Sequence, residues 1–95
     1  MPLKVSATPT FARIAKKLHA EDKKTLDQAV KKITADPSLG EEKRGDLSGV
    51  FVYKFKLNKQ ETLMAYELMP SKLTPDELVL LGLGSHENFY AQLKR

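Results

Sequence analysis

The sequence predicts an α+β fold: a two-helix hairpin packed on a small, mostly antiparallel sheet, in the order β-α-α-β-β-β with a short C-terminal helix. Three observations predict it. Apolar residues recur at helical spacing between Phe11 and Ile33, the period changes to two from Val50 onward, and an apolar run, ELVLLGLG, closes in glycines before a last polar segment.

Residues 3–7, LKVSA, read as a short first strand. Thr8 followed by Pro9 then has the form of an N-cap with proline in the first turn, which starts a helix. Phe11, Ile14, Ala15 and Leu18 fall on one face of it. After the polar break HAED the same spacing returns in Leu26, Ala29, Val30 and Ile33, giving two antiparallel amphipathic helices, with His19 at the end of the first. Asp36-Pro37 ends the second, because proline disfavours helical geometry in the residue before it. The stretch PSLGEEKRGD, 37–46, reads as loop and carries Lys43 and Arg44.

From Val50 the chain alternates. Phe51, Tyr53, Phe55 and Leu57 share one side of a strand, and Val50, Val52, Lys54 and Lys56 share the other. Asn58-Lys59-Gln60 makes a turn into TLMAYELM, where Thr62, Met64, Tyr66 and Leu68 alternate with Leu63, Ala65, Glu67 and Met69. ELVLLGLG is apolar on both faces, which suits a central strand better than an edge. In the tail SHENFYAQLKR, Ser85 is an N-cap candidate and His86, Phe89, Tyr90 and Leu93 have helical spacing.

Composition bounds the function. The 95 residues suit one domain, 1–95, with a single core. No apolar run is long enough to cross a bilayer, and MPLKVSATPT lacks the apolar centre of a secretory signal, so a cytoplasmic protein is expected. Without cysteine there is no disulfide, thiol nucleophile or Cys-based zinc site; with only two histidines, neither a metal nor a cofactor is expected. Sixteen Lys+Arg against twelve Asp+Glu give a formal charge of +4, which favours a polyanion or an acidic protein partner. Eight of the cations lie between Lys4 and Lys32, where a solvated helix face is the plainer reading.

The two-helix hairpin, the segment KRGDLSGVFVYKFK at 43–56 and the last strand running into GSHENFY at 84–90 together resemble the RelE/ParE superfamily of toxins from bacterial type II toxin–antitoxin systems. GSHENFY is particularly similar to the YafQ-like motif, a Gly-x-His segment with an aromatic four residues after the histidine, here His86 and Tyr90. The resemblance implies one of two activities. RelE-like and YafQ-like members cut mRNA in the ribosomal A site, whereas ParE-like members inhibit DNA gyrase, and fold alone does not choose. The chain departs from the nucleases in having no arginine between Arg44 and Arg95 and no histidine besides His19 and His86. A toxin that has lost activity, or a binding module on the same fold, is the third alternative.

Metal-independent RNA cleavage needs a base for the 2′-hydroxyl, cations at the crowded phosphate and a proton donor for the leaving 5′-oxygen. His86 and Tyr90, four apart, would share one helical face, with His86 the base and Tyr90 stacking on a base or positioning the phosphate. Lys54, with Arg44 reaching from the preceding loop, would stabilise the phosphate, and Lys43 and Lys56 would bind RNA. The plainer roles are a polar first turn for His86, core capping for Tyr90 and strand solubility for the lysines. Glu67, on the cationic side of its strand, is a reserve base, while Tyr53 and Tyr66 read as packing residues. The partners implied are a cognate antitoxin in a hetero-oligomer, and either the ribosome and mRNA or DNA gyrase, with no membrane.

Overall fold

In a computed structural model the described residues form five strands and two α-helices in the order β1 (Lys4–Ala7), α1 (Pro9–Lys16), α2 (Ala20–Ala35), β2 (Glu41–Glu42), β3 (Val50–Leu57), β4 (Gln60–Met69) and β5 (Glu77–Gly84). The structure describes residues 3–43, 45 and 49–85. The predicted terminal helix therefore lies outside the described residues.

The helix starts follow local chemistry. The Thr8 hydroxyl accepts the Phe11 N–H at 3.2 Å, satisfying one of the donors that a first turn leaves open, and Pro9 follows it. The expectation that His19 ends the first helix is not met, since α1 stops at Lys16. It is the N-cap residue of α2, in extended geometry and with no side-chain cap, while Glu21 and Asp22 place negative charge on that helix's first turn. At the other end the Asp36 carboxylate accepts the Ser38 N–H at 3.2 Å and opens a single 3-10 turn, Pro37–Leu39. The stretch 37–46 is thus not all loop. It holds this turn and then β2, whose Glu41 and Glu42 pair with Val52 and Phe51.

The sheet runs β1-β5-β4-β3-β2, antiparallel except for the β1–β5 pair. β5 is interior, as its apolar run suggests, but Val79 and Leu81 on the side away from the helices are only half-buried. The β3–β4 hairpin closes through Asn58 and Lys59 alone, both at positive φ (51° and 65°), a geometry that matches the right-handed twist of paired strands. Gln60 belongs to β4.

Both helices bury their apolar stripes on one face of the sheet, here the near face. Phe11, Leu26, Ala29 and Ile33 meet Phe51, Met64, Tyr66, Leu68, Leu78, Leu80 and Leu83 there. The Phe51 and Tyr66 rings stack at 5.4 Å. Tyr66 is fully buried because its hydroxyl is satisfied: it donates to the Pro37 carbonyl and accepts the Gly40 N–H at 3.0 Å. Gly40 lies so close that a Cβ would overlap the Tyr66 hydroxyl and ring. This contact fixes the chain just before β2, and a Lys72–Glu42 ion pair at 2.9 Å ties β2 to the β4–β5 connection.

Candidate functional site

Strand parity decides what reaches the opposite, far face of the sheet. Cross-strand partners share a face, so Val50, Val52, Lys54 and Lys56 of β3 stand beside Glu67, Ala65, Leu63 and Glu61 of β4. Val50, Val52, Leu63 and Ala65 form a small second core cluster, with Leu81 packed against it. Lys54 and Lys56 are exposed beyond it, on the side that their parity predicts.

At the β2 edge of this face lies a concavity of about 300 Å³, lined by Leu39, Glu41, Lys43, Val52, Tyr53, Lys54 and Leu63. Two elements bring its cations together. Lys43 is held at the end of β2 by its N–H bond to the Val50 carbonyl, 2.8 Å, and Lys54 projects from β3. Glu41 sits between them in register with Val52, and its carboxylate accepts from Lys43 Nζ at 2.6 Å. That hydrogen bond and the Lys43 charge, with a smaller contribution from Lys54, hold the Glu41 carboxyl below its ordinary range against a small opposing effect of desolvation. Glu41 is therefore ionised near neutrality and orients Lys43. Among the described residues the concavity brings two ammonium groups beside one carboxylate, and Lys56 adds a further cation two residues along the same strand face, in register with Glu61. Paired ammonium groups of this kind have the chemistry to receive an anion of phosphate size and to stabilise charge that develops on it.

Of the predicted site residues, the structure brings Lys43 and Lys54 to one concavity and keeps Lys56 on the same face. Arg44, His86 and Tyr90 lie outside the described residues. Glu67 is on the far face but opposite Val50, four residues from Lys54, or about 13 Å along an extended strand, so it does not join this group. Tyr53 and Tyr66 point to the core; Tyr53 stacks on Phe55 at 5.9 Å. Glu41 was not foreseen, and its signal was faint: Glu41 and Lys43 alternate as residues on one side of a strand do, but over too short a stretch to read as one. Among the described residues no group of three or more His, Asp or Glu is placed to hold a metal ion, and no helix is long and apolar enough to cross a membrane.

A family model of the ParE-like toxins of type II bacterial toxin–antitoxin systems matches residues 5–94. No curated protein matches the chain. Among solved structures, the toxin–antitoxin complex RelBE2 of Mycobacterium tuberculosis aligns with a TM-score of 0.63 at 20% identity, covering 90% of this chain and 100% of that one. The intact RelBE complex of E. coli aligns at 0.66 and 14%, over 87% and 95% of the two chains. A mutant of the E. coli toxin RelE in the free state aligns at 0.67 and 15%, over 92% and 86%. At such identities the likeness is one of fold.

Proposed function

The chain belongs to the ParE-like toxin family of type II bacterial toxin–antitoxin systems, in the RelE/ParE superfamily, and from that premise we propose that it arrests growth by cutting mRNA on the ribosome. The observation that carries this reading is the pairing of Lys43 and Lys54 in one concavity of the far face, with Lys56 beside them. In the proposed reaction the 2′-oxygen attacks the adjacent phosphorus and the bond to the 5′-oxygen breaks, leaving a 2′,3′-cyclic phosphate and a 5′-hydroxyl. His86 takes the proton from the 2′-hydroxyl, and the leaving 5′-oxygen takes its proton from water. Lys54 and Arg44 stabilise the charge on the phosphorus oxygens, Tyr90 positions the phosphate, and Lys43 and Lys56 hold the RNA backbone. Glu41 keeps Lys43 in place. The reaction draws on no metal or cofactor.

The neighbouring partner in this reading is a cognate antitoxin that binds the single-domain toxin in the cytoplasm, as antitoxin accompanies toxin in the RelBE complexes of similar fold. An acidic, partly disordered antitoxin suits a toxin of formal charge +4.

The test is induction of the chain in bacteria without antitoxin, following growth, protein synthesis and the 5′ ends of translated mRNAs. Growth arrest with new ends is expected. Loss of a charge-stabilising group should reduce cutting roughly 100-fold or more, so Lys54→Gln and His86→Ala should each remove the new ends. Arrest with intact mRNA would instead favour the gyrase reading, which a supercoiling assay checks directly.

A further inference from the structure

The charge of this protein is not spread evenly. Between Pro9 and Ala35 the two helices and the turn that joins them carry seven cations (Arg13, Lys16, Lys17, Lys23, Lys24, Lys31 and Lys32) against three carboxylates, a balance of +4 that equals the charge of the whole chain. Outside that stretch nine cations meet nine carboxylates. All seven helix cations are exposed. The ion pairs among the described residues, Lys43–Glu41 and Lys72–Glu42, both lie on the sheet side, so local pairing neutralises cations there and not on the helices.

We propose that the outer surface of the helix layer is a second RNA-binding surface, which holds the phosphate backbone of a structured RNA while the far face of the sheet engages the strand to be cut. The inference rests on the reading of the chain as an RNA-directed toxin and extends it to the opposite side of the molecule. Two features favour an RNA backbone over an acidic protein. Protein interfaces are anchored by aromatic or large apolar residues and are poor in lysine. Among the described residues the exposed large hydrophobic ones, Val5, Leu39, Met69 and Leu73, all lie off α1 and α2, and six of the seven cations between Pro9 and Ala35 are lysines. Lysine ammonium groups on a surface without apolar anchors fit sequence-independent contact with phosphates, which is driven by release of counterions. The spacing agrees. Lys24 and Lys31 are seven residues apart on one stripe of α2, about 10 Å along the axis, a length over which a duplex presents several phosphates.

The experiment measures affinity of the purified chain for a 2′-O-methylated RNA duplex, which cannot be cut, across a salt series. The triple variant Lys23→Gln/Lys24→Gln/Lys31→Gln is compared with wild type, with thermal melting to verify folding; glutamine keeps helix propensity near that of lysine. Binding should weaken roughly tenfold or more at moderate salt, and the slope of log affinity against log salt should fall by about two to three, close to one per lost contact. A folded triple variant with wild-type affinity and slope overturns the proposal. So does a variant that keeps RNA binding and loses only binding to poly-glutamate, since the surface then serves an acidic protein. Failure of the mRNA-cutting assay with the slope effect intact would sink the nuclease reading and leave the surface assigned.

Discussion

The two faces of the sheet are made by the same strands and have opposite fates. On β4, Thr62, Met64, Tyr66 and Leu68 are all buried on the near face; on the far side the same strand buries Leu63 and Ala65, leaves Glu67 half-buried and exposes Glu61. β3 divides likewise, Phe51 entering the main core while Lys54 and Lys56 stay exposed. The near face holds the larger share of the apolar contacts, and the far face, with its cluster of four buried residues, keeps only enough to carry the charged site. The main core and the candidate site are thereby separated across one sheet thickness. A charge can be placed on the far face at little cost to folding because the core that sustains the fold is on the other side.

The sharpest way to break this comparison is to truncate one residue on each face. Leu78, fully buried in the near face, should cost about 3–4 kcal/mol when changed to Ala, the range for a leucine lost from a well-packed core. Val52→Ala on the far face should cost about 1.5–2 kcal/mol, two methyl groups at ~0.8 each. Equal losses in denaturant titrations would show that the far-face cluster is a core of the same rank.

A smaller effect is expected where the near face meets β2. Gly40→Ala forces a Cβ against Tyr66 and should cost about 1–3 kcal/mol by overpacking. Tyr66→Phe should cost about 1–3 kcal/mol, since it leaves the Gly40 N–H and the Pro37 carbonyl without their partner. The double variant should lose less than the two losses added, because phenylalanine relieves part of the overlap. Burial raises the Tyr66 phenol above its ordinary value of 10.0, outweighing the Gly40 hydrogen bond, so the folded state holds this proton more tightly than the unfolded chain does. Its contribution is complete below pH 10 and is lost as pH rises from there through the raised folded value. Stability measured above pH 10 should therefore fall more in wild type than in Tyr66→Phe.

Two changes should barely move stability. Lys54→Gln, exposed on the far face, should stay within about 0.5 kcal/mol of wild type while removing mRNA cutting, which sharpens the division between the faces. Lys59→Gly should raise stability by about 0.5 kcal/mol, since glycine relieves a positive φ at a modest entropic cost in the unfolded chain.

The near face was legible because its signals are local and repeated. The helical spacing of Phe11, Leu26, Ala29 and Ile33 named core residues, Thr8-Pro9 marked a helix start, and alternation from Val50 assigned each side chain of β3 and β4 to its face. What escaped depends on contacts distant in sequence. β2 is two residues long and has no period of its own; it exists because Gly40 is pinned by Tyr66, 26 residues away, and because Lys43 bonds to Val50. His19 was misplaced because a three-residue connection between helices leaves little sequence in which to mark a boundary. Within the candidate site, parity placed Lys54 and Lys56, whereas the meeting of Lys43, Glu41 and Lys54 required the edge strand that the sequence does not announce.

The parallel pairing of β1 with β5 sets the order in which this molecule can be completed. Among the described residues β1 pairs with β5 alone, with Lys4 opposite Glu77 and Ala7 opposite Leu80, and the Thr8 hydroxyl bonds to the Leu81 carbonyl 73 residues away. Closing so long a loop is slow, and during synthesis it waits until β5 has left the ribosome. The first strand made is the last to find its place. A nascent chain therefore carries β1 without its sheet partner until β5 has been made, while the β3–β4 hairpin closes on local contacts.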